Sequence, residues 1–384
     1  MKAGWQTSTL GDVLAVIRNG VNCKQVKSGD GDRISRIESI SDATFDSRKV
    51  GYAELSERDK EKNRLQLGDI LFSHINSAVH VGKTAVFDCE EPVYHGVNLL
   101  LMRPKEDVTS AYLNYTLKYL FQSGYWLSVC KQSVNQASVN QQDVSRVEIR
   151  YPKSLAEQQR IVALLDEAFA GLATAKANAE QNLQNARALF ESHLQSVFNQ
   201  RGEGWVDTTL DMISTNLDSR RVPITKNVRS SGEYPYYGAS GIVDYVADYI
   251  FEGDNLLVSE DGANLLARST PIAFSVNGRY WVNNHAHILH FESMATQRFV
   301  EFYLESIKLD EFITGAAQPK LNQRALNAIP IPIPESIEEQ ARIVNGVESL
   351  QEETQRLARL YERKLAALEE LKKSLLHQAF NGEL

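Results

Sequence analysis

The chain has 384 residues, 43% hydrophobic and 23% charged, with 41 basic against 49 acidic side chains and a net charge of −8. These values suit two or three folded domains and exclude a disordered, fibrous or uniformly basic protein, though not a local basic face. Three cysteines in no CxxC spacing argue against a disulfide framework, and no run of ~18 apolar residues follows Met1-Lys2-Ala3-Gly4-Trp5 or occurs elsewhere, so a cytoplasmic protein with no membrane segment is expected.

Gly4-Trp5 and Ser8-Thr9-Leu10 come first. Strand-like runs such as Asp69-Ile70-Leu71-Phe72 and Thr84-Ala85-Val86-Phe87 then alternate with turn residues. An amphipathic helix is expected from Ala111 to about Val129, followed by a polar loop holding Asn140 and an extended segment ending at Pro152. A long helix with no proline should run from about Ala156 to Asn199. The series then restarts at Gly204-Trp205 and Thr208-Thr209-Leu210. Strands at Asn255–Val258 and Pro271–Phe274, a helix from Gln297 to about Thr314 and a loop holding Asn322 follow. Pro330, Pro332 and Pro334 alternate in the next segment; proline cannot donate a ladder hydrogen bond, so an edge or polyproline segment is expected there. A second long helix should span about Ile337 to Phe380.

Residues 136–162 laid on 318–344 give 11 identities in 27 positions, including Asn140/Asn322, Pro152/Pro334, Gln158/Gln340 and Arg160-Ile161-Val162/Arg342-Ile343-Val344. The match includes prolines and polar residues ahead of the helices, so the chain reads as two copies of one plan. In the second long helix Ile343, Val347, Leu350, Leu357, Tyr361, Leu368, Leu371 and Leu375 fall on a heptad seam. The same register in the first gives Ile161, Leu165, Ala168, Leu172, Ala175, Ala179, Ala186 and Leu189. A rod of ~65 Å cannot bury its stripe on one small domain, so each rod should pack on the other. The expected fold is α+β: two tandem mixed domains at 1–153 and 201–335, separated by long antiparallel helices at 154–200 and 336–384 in a pseudo-two-fold coiled coil. Two related globules on a spacer suit a target with two unlike halves. DNA is the natural candidate, and a non-enzymatic paired-domain protein scaffold fits the same geometry.

Gly82-Lys83-Thr84 lacks the upstream glycine of a phosphate-binding loop, since Ser77 stands there, and reads as a turn. His285, His287 and His290 lack a further metal ligand, so a polar strand face or loop is expected and no metal site. Pro-Pro occurs nowhere, which removes the Asn/Asp-Pro-Pro-aromatic motif of amino-methyltransferases. No catalytic residues are identified.

Glu157-Gln158-Gln159-Arg160-Ile161-Val162 and Glu339-Gln340-Ala341-Arg342-Ile343-Val344, each behind a proline and a polar loop, resemble the specificity subunit of a type I restriction-modification system. The Gly-Trp opening of each copy and the Phe-Asn end of each rod fit, and the resemblance covers essentially the whole chain. It implies a non-catalytic subunit with two target-recognition domains, each reading half of a split site in double-stranded DNA. It implies helices that set the spacing and dock adenine methyltransferase subunits, two in number, which would carry S-adenosylmethionine; this chain would hold no cofactor. The same resemblance implies a motor-nuclease restriction subunit as a further partner.

Candidate DNA contacts come from amides and basic residues. The loops supply Lys131, Gln132, Asn135, Gln136, Asn140 and Gln141 in the first copy and Gln318, Lys320, Asn322, Gln323 and Arg324 in the second. Asn and Gln can bond adenine, while Asn140 and Asn322 also stand where a helix N-cap is needed. The clusters Lys24, Lys27, Arg33, Arg36, Arg48 and Lys49, and Arg220, Arg221, Lys226 and Arg229, are candidate phosphate-binding faces; Lys83, Lys131, Lys320 and Arg324 are candidate phosphate contacts and Arg268 a candidate DNA contact. Residues 1–150 carry a net +1 and residues 201–332 a net −5. The acidic balance is therefore local, and weak DNA binding by the isolated chain is expected.

Overall fold

The computed structural model describes residues 3–134, 136–315 and 318–384. It divides into two units, Met1–Asn178 with Lys364–Leu384, and Ala179–Arg363. Each unit takes part of both long helices, Leu155–Asn199 and Ile337–Asn381.

In the first unit, strand Trp5–Thr9 pairs antiparallel with Glu148–Pro152, Trp5 opposite Pro152. An antiparallel sheet follows in the order Leu14–Asn19, Leu100–Pro104, Ile70–Phe72, Thr84–Val86. Alternate side chains serve its two faces. Ile70, Phe72, Leu100 and Met102 pack on Tyr112, Leu117 and Trp126, whereas Leu71, Ala85 and Leu101 pack on Ile40, Val50 and Val93. The helix expected to reach Val129 is broken. Ser110–Gln122 ends at Gly124, whose φ of 76° is left-handed, and a short helix Tyr125–Val129 restarts beyond it.

In the second unit, Trp205–Thr209 pairs with Pro330–Pro334, Trp205 opposite Pro334, in a two-stranded sheet. The alternating prolines thus sit on an edge, as expected. One four-stranded sheet runs Thr215–Asn216, Ala286–His290, Asn255–Ser259, Ala273–Val276, and its helix, Met294–Ser306, stops short of Thr314. A second sheet, Gly241–Val246, Ser231–Gly238, Arg279–Val282, Phe251–Glu252, has no four-stranded counterpart among the described residues of the first unit.

The repeated glutamine explains the shared motif. Gln158 is fully buried; its Oε1 accepts from the Thr109 amide at 2.9 Å and its Nε2 donates to Asp107 O at 2.9 Å and Pro152 O at 3.0 Å. Gln340 Oε1 accepts from Thr296 Oγ1, and its Nε2 donates to Pro334 O, both at 2.7 Å. Each glutamine therefore ties the start of a long helix to the extended segment before it and to the shorter helix of its unit. Orphaning such buried groups costs about 1–3 kcal/mol each.

The long helices pair antiparallel within each unit. Ile161 and Leu165 share a core with Leu376, Ala379 and Phe380, and Lys176 pairs with Glu369 at 2.9 Å. In the second unit Leu194 and Phe198 share a core with Val344 and Val347, and Arg187 pairs with Glu362 at 3.1 Å. Leu189 and Leu371, expected on the seam, are 53% and 47% exposed, because 3.6 residues per turn drifts away from a seven-residue count. Their neighbours Phe190 and Lys372 lie further in.

Candidate nucleic-acid interface

In the first unit Lys131–Ser133 and Gln136–Ser138 form a hairpin, and Gln136–Ser138 also pairs with Ile75–Asn76. Lys131, Gln132, Ser133 and Gln136 are exposed. Val134 between the strands is 97% exposed and shares a shallow cavity with Val79, Gln132 and Gln136. Amides flanking an apolar tip can meet base edges and a thymine methyl group. Asn135 lies outside the described residues. Asn140 is an N-cap, its Oδ1 accepting from the Asp143 amide at 2.8 Å. Asn322 does the same for Ala325 at 3.0 Å. Gln141 Nε2 donates to Ile17 O at 2.8 Å.

The early basic cluster divides by its partners. Arg33 pairs with Glu91 and donates to Ser47 O, Arg36 chelates Glu38, Arg48 chelates Asp46, and Lys49 holds Asp42. Lys83 Nζ donates to Ser41 O at 2.9 Å. Lys24 and Lys27 are exposed and make no ion pair among the described residues, which leaves them free for phosphate. Lys83 follows Gly82, whose φ is +94°. A Cβ at Gly82 would lie 2.2 Å from the Trp126 ring, so that glycine serves packing beneath a turn.

The second unit holds a buried charged network. His287 Nδ1 meets Asp218 Oδ2 at 2.5 Å and its Nε2 meets Leu321 O at 2.7 Å. Arg221 donates to Glu260 Oε2 at 2.6 Å and Ala286 O at 2.8 Å; Lys320 reaches Glu260 Oε1 at 3.1 Å. Burial pushes the Asp218 carboxyl upward, but His287, the Ile288 amide and Arg221 together hold it below its ordinary value. Glu260 is likewise held low against burial by Arg221, His287 and Lys320. His287 is therefore an interior group, not part of the polar face expected from sequence, because its strand turns it toward Asp218. Asp218, Glu260 and His287 could in principle hold a cation, but the Arg221 and Lys320 head groups already neutralise the carboxylates. His285 stays exposed and pairs with Asp261 at 2.9 Å.

The network fixes the expected contacts of this unit. Arg221 is held inside. Arg268 donates to Leu304 O at 3.2 Å and Ile307 O at 2.8 Å, closing the C-terminal end of helix Met294–Ser306. These two guanidiniums hold the fold, where sequence alone suggested phosphate. Arg220 stacks on the Phe251 ring at 5.2 Å. Lys226, Gln318 and Arg324 are exposed. Lys320 bridges to Thr314 and Asp261 through its backbone, so the Gln318 loop is anchored on the network. The sequence singled out Arg221, His287 and Lys320 but not their network, since Asp218 lies 69 residues away from His287.

Among the described residues no helix is long and apolar enough to cross a membrane. A family model described as type I restriction modification DNA specificity domain matches residues 2–184 and again 202–363. The MjaX type I restriction enzyme specificity subunit of Methanocaldococcus jannaschii is 43% identical over 166 residues, 42% of this chain and 39% of that protein. A type I restriction enzyme specificity subunit of Haemophilus influenzae is 36% identical over 141 residues, 37% of this chain and 36% of that protein. The chain thus covers less than half the length of these curated relatives. The HsdS subunit of Thermoanaerobacter tengcongensis has a similar fold, with TM-score 0.66 at 16% identity over 100% of this chain and 98% of that one. A chain from a type I restriction-modification assembly gives TM-score 0.77 at 15% identity over 100% and 99%.

Proposed function

The chain belongs to the type I restriction-modification DNA specificity family, and from that membership we propose that it is a non-catalytic subunit whose two units each read one half of a bipartite DNA target. The observation that carries this reading is a shared frame with unlike polar surfaces. Both units repeat the Trp–Pro strand pair and the buried glutamine. One presents the Lys131–Ser138 hairpin with Lys24 and Lys27, and the other presents Lys226, Gln318 and Arg324. Unlike surfaces on one frame suit unlike half-sites.

The long helices set the spacing between half-sites and dock two adenine methyltransferase subunits. S-adenosylmethionine binds on those subunits, and a restriction subunit completes the nuclease form in the cytoplasm. The chain mixed with its methyltransferase subunit should bind a duplex in a sequence-selective, salt-sensitive way and methylate adenine at one split site. Binding of protein with no dependence on DNA sequence would favour a scaffold instead. Inserting four residues into both helices, near Asn178 and Leu360, adds ~6 Å. The recognised spacer should lengthen by about two base pairs while both half-sites stay the same.

A further inference from the structure

The first unit contains a cleft of about 520 Å³ beside helix Ser110–Gln122, walled by Tyr115, Phe121 and Phe169 and lined by Lys83, Lys118 and Lys372. Lys118 Nζ lies over the Tyr115 ring at 5.4 Å, and Lys372 Nζ over the Phe169 ring at 5.6 Å. Neither ammonium has an ion-pair or hydrogen-bond partner among the described residues. The nearby carboxylates are engaged elsewhere: Asp166 accepts from the Tyr115 hydroxyl at 2.5 Å, Glu369 from Lys176 at 2.9 Å, and Asp42 from Lys49 at 2.6 Å. Burial, with the Lys372 charge beside it, lowers the proton affinity of the Lys118 ammonium.

The second unit fills the matching position with other residues. Helix Met294–Ser306 matches Ser110–Gln122 residue for residue: Tyr119 stacks on Phe380 at 5.6 Å, and Tyr303 meets Phe198 at 5.4 Å. In that register Lys118 corresponds to Phe302. The repeat of the long helices sets Lys372 opposite Phe190. Phe302 is 4% exposed and Phe190 packs on the same core. One copy therefore fills this position with two phenylalanines, and the other leaves a cleft with two lysines that make no ion pair among the described residues.

We infer that the cleft between Lys118 and Lys372 is a docking site for an acidic side chain on an apolar segment of a protein partner, present on the first unit only. Lysine ammoniums recognise a point anion, and the aromatic walls take the apolar body. A polyanion such as DNA is disfavoured, because the lysines line a cleft walled by Tyr115, Phe121 and Phe169, not an open face that a duplex backbone could follow. The pairing makes the two halves of the complex unequal toward that partner.

The test uses the full chain labelled with ¹³C at lysine, with Lys118 and Lys372 signals assigned from Lys118→Met and Lys372→Met. The probes are acetyl-Phe-Glu-amide, acetyl-Phe-Gln-amide, inorganic phosphate and a DNA duplex. The glutamate peptide should shift both ε-signals saturably, and the glutamine peptide should bind about tenfold more weakly. The double variant Lys118→Phe/Lys372→Phe, which carries the second unit's residues, should lose binding and melt at a higher temperature. If that variant does not fold, Lys118→Met/Lys372→Met should show the same loss of binding. No saturable shift, equal binding of the two peptides, or saturation by phosphate or DNA at lower concentration than the glutamate peptide would overturn the inference.

Discussion

Trp5 faces Pro152 as Trp205 faces Pro334, and Gln158 and Gln340 make the same kind of clasp, yet the interiors of the two units differ in kind. The first buries one bidentate ion pair, Asp69 with Arg103, and keeps its buried histidines as neutral rings: burial pushes His95 down to about 3 and His74 down to about 4. The second buries a wider charged network, with Asp218 and Glu260 neutralised by Arg221 and Lys320 and Asp218 bonded to His287. The frame of strand pair, short helix and paired long helices tolerates either solution, because each clasp ties only the long helix, the extended segment before it and the shorter helix.

The largest effect should come from breaking the charged interior. Arg221→Met leaves Glu260 facing fewer cations in a buried site, and removing one member of a buried pair costs about 3–5 kcal/mol. Amide exchange should accelerate across Ala286–His290 and Asn255–Ser259 and stay unchanged in the sheet around Ile70–Phe72. Equal acceleration in both units would show that the interiors are not independent.

Acid should weaken the first unit through its buried histidines. The folded-state affinity of His95 for a proton lies below its unfolded value, so between about pH 6.5 and 3 the unfolded chain binds more protons. Its contribution is fully present above about pH 6.5 and is lost as pH falls, at up to ~1.4 kcal/mol per pH unit. His95→Gln should flatten the acid limb of the first unit's unfolding curve, followed by exchange or intrinsic tryptophan fluorescence.

Smaller and matched effects should come from the clasps. Gln158→Leu and Gln340→Leu should each cost about 1–3 kcal/mol, each in its own unit, measured by denaturant unfolding resolved by exchange. Smallest in stability is Lys24→Ala/Lys27→Ala, expected within about 0.5 kcal/mol of the parent. Two lost phosphate contacts should reduce the salt slope of duplex binding by about two.

Much of the frame is legible in the sequence, because its signals are local. Alternating prolines mark the edge strand, the proline-free stretches mark the long helices, and Asn140 and Asn322 stand at caps. The interiors are not legible, because their partners are distant: Asp218 and His287 are 69 residues apart. Counting charges also hid that Arg33, Arg36 and Arg48 are paired by neighbouring carboxylates, so the free cations reduce mainly to Lys24 and Lys27 in that cluster. Gly124 ended a helix that the apolar pattern alone continued to Val129, since a left-handed residue overrides periodicity.

The claim that each unit reads its own half-site is tested most directly by exchange of one recognition surface. Residues 5–150 are replaced by the corresponding stretch of another family member, the chimaera is co-expressed with its methyltransferase subunit, and methylated adenines are mapped across the host genome. One half of the target should change, while the other half and the spacer stay as they were. A change in both halves, or in neither, would contradict the assignment of one unit to each half.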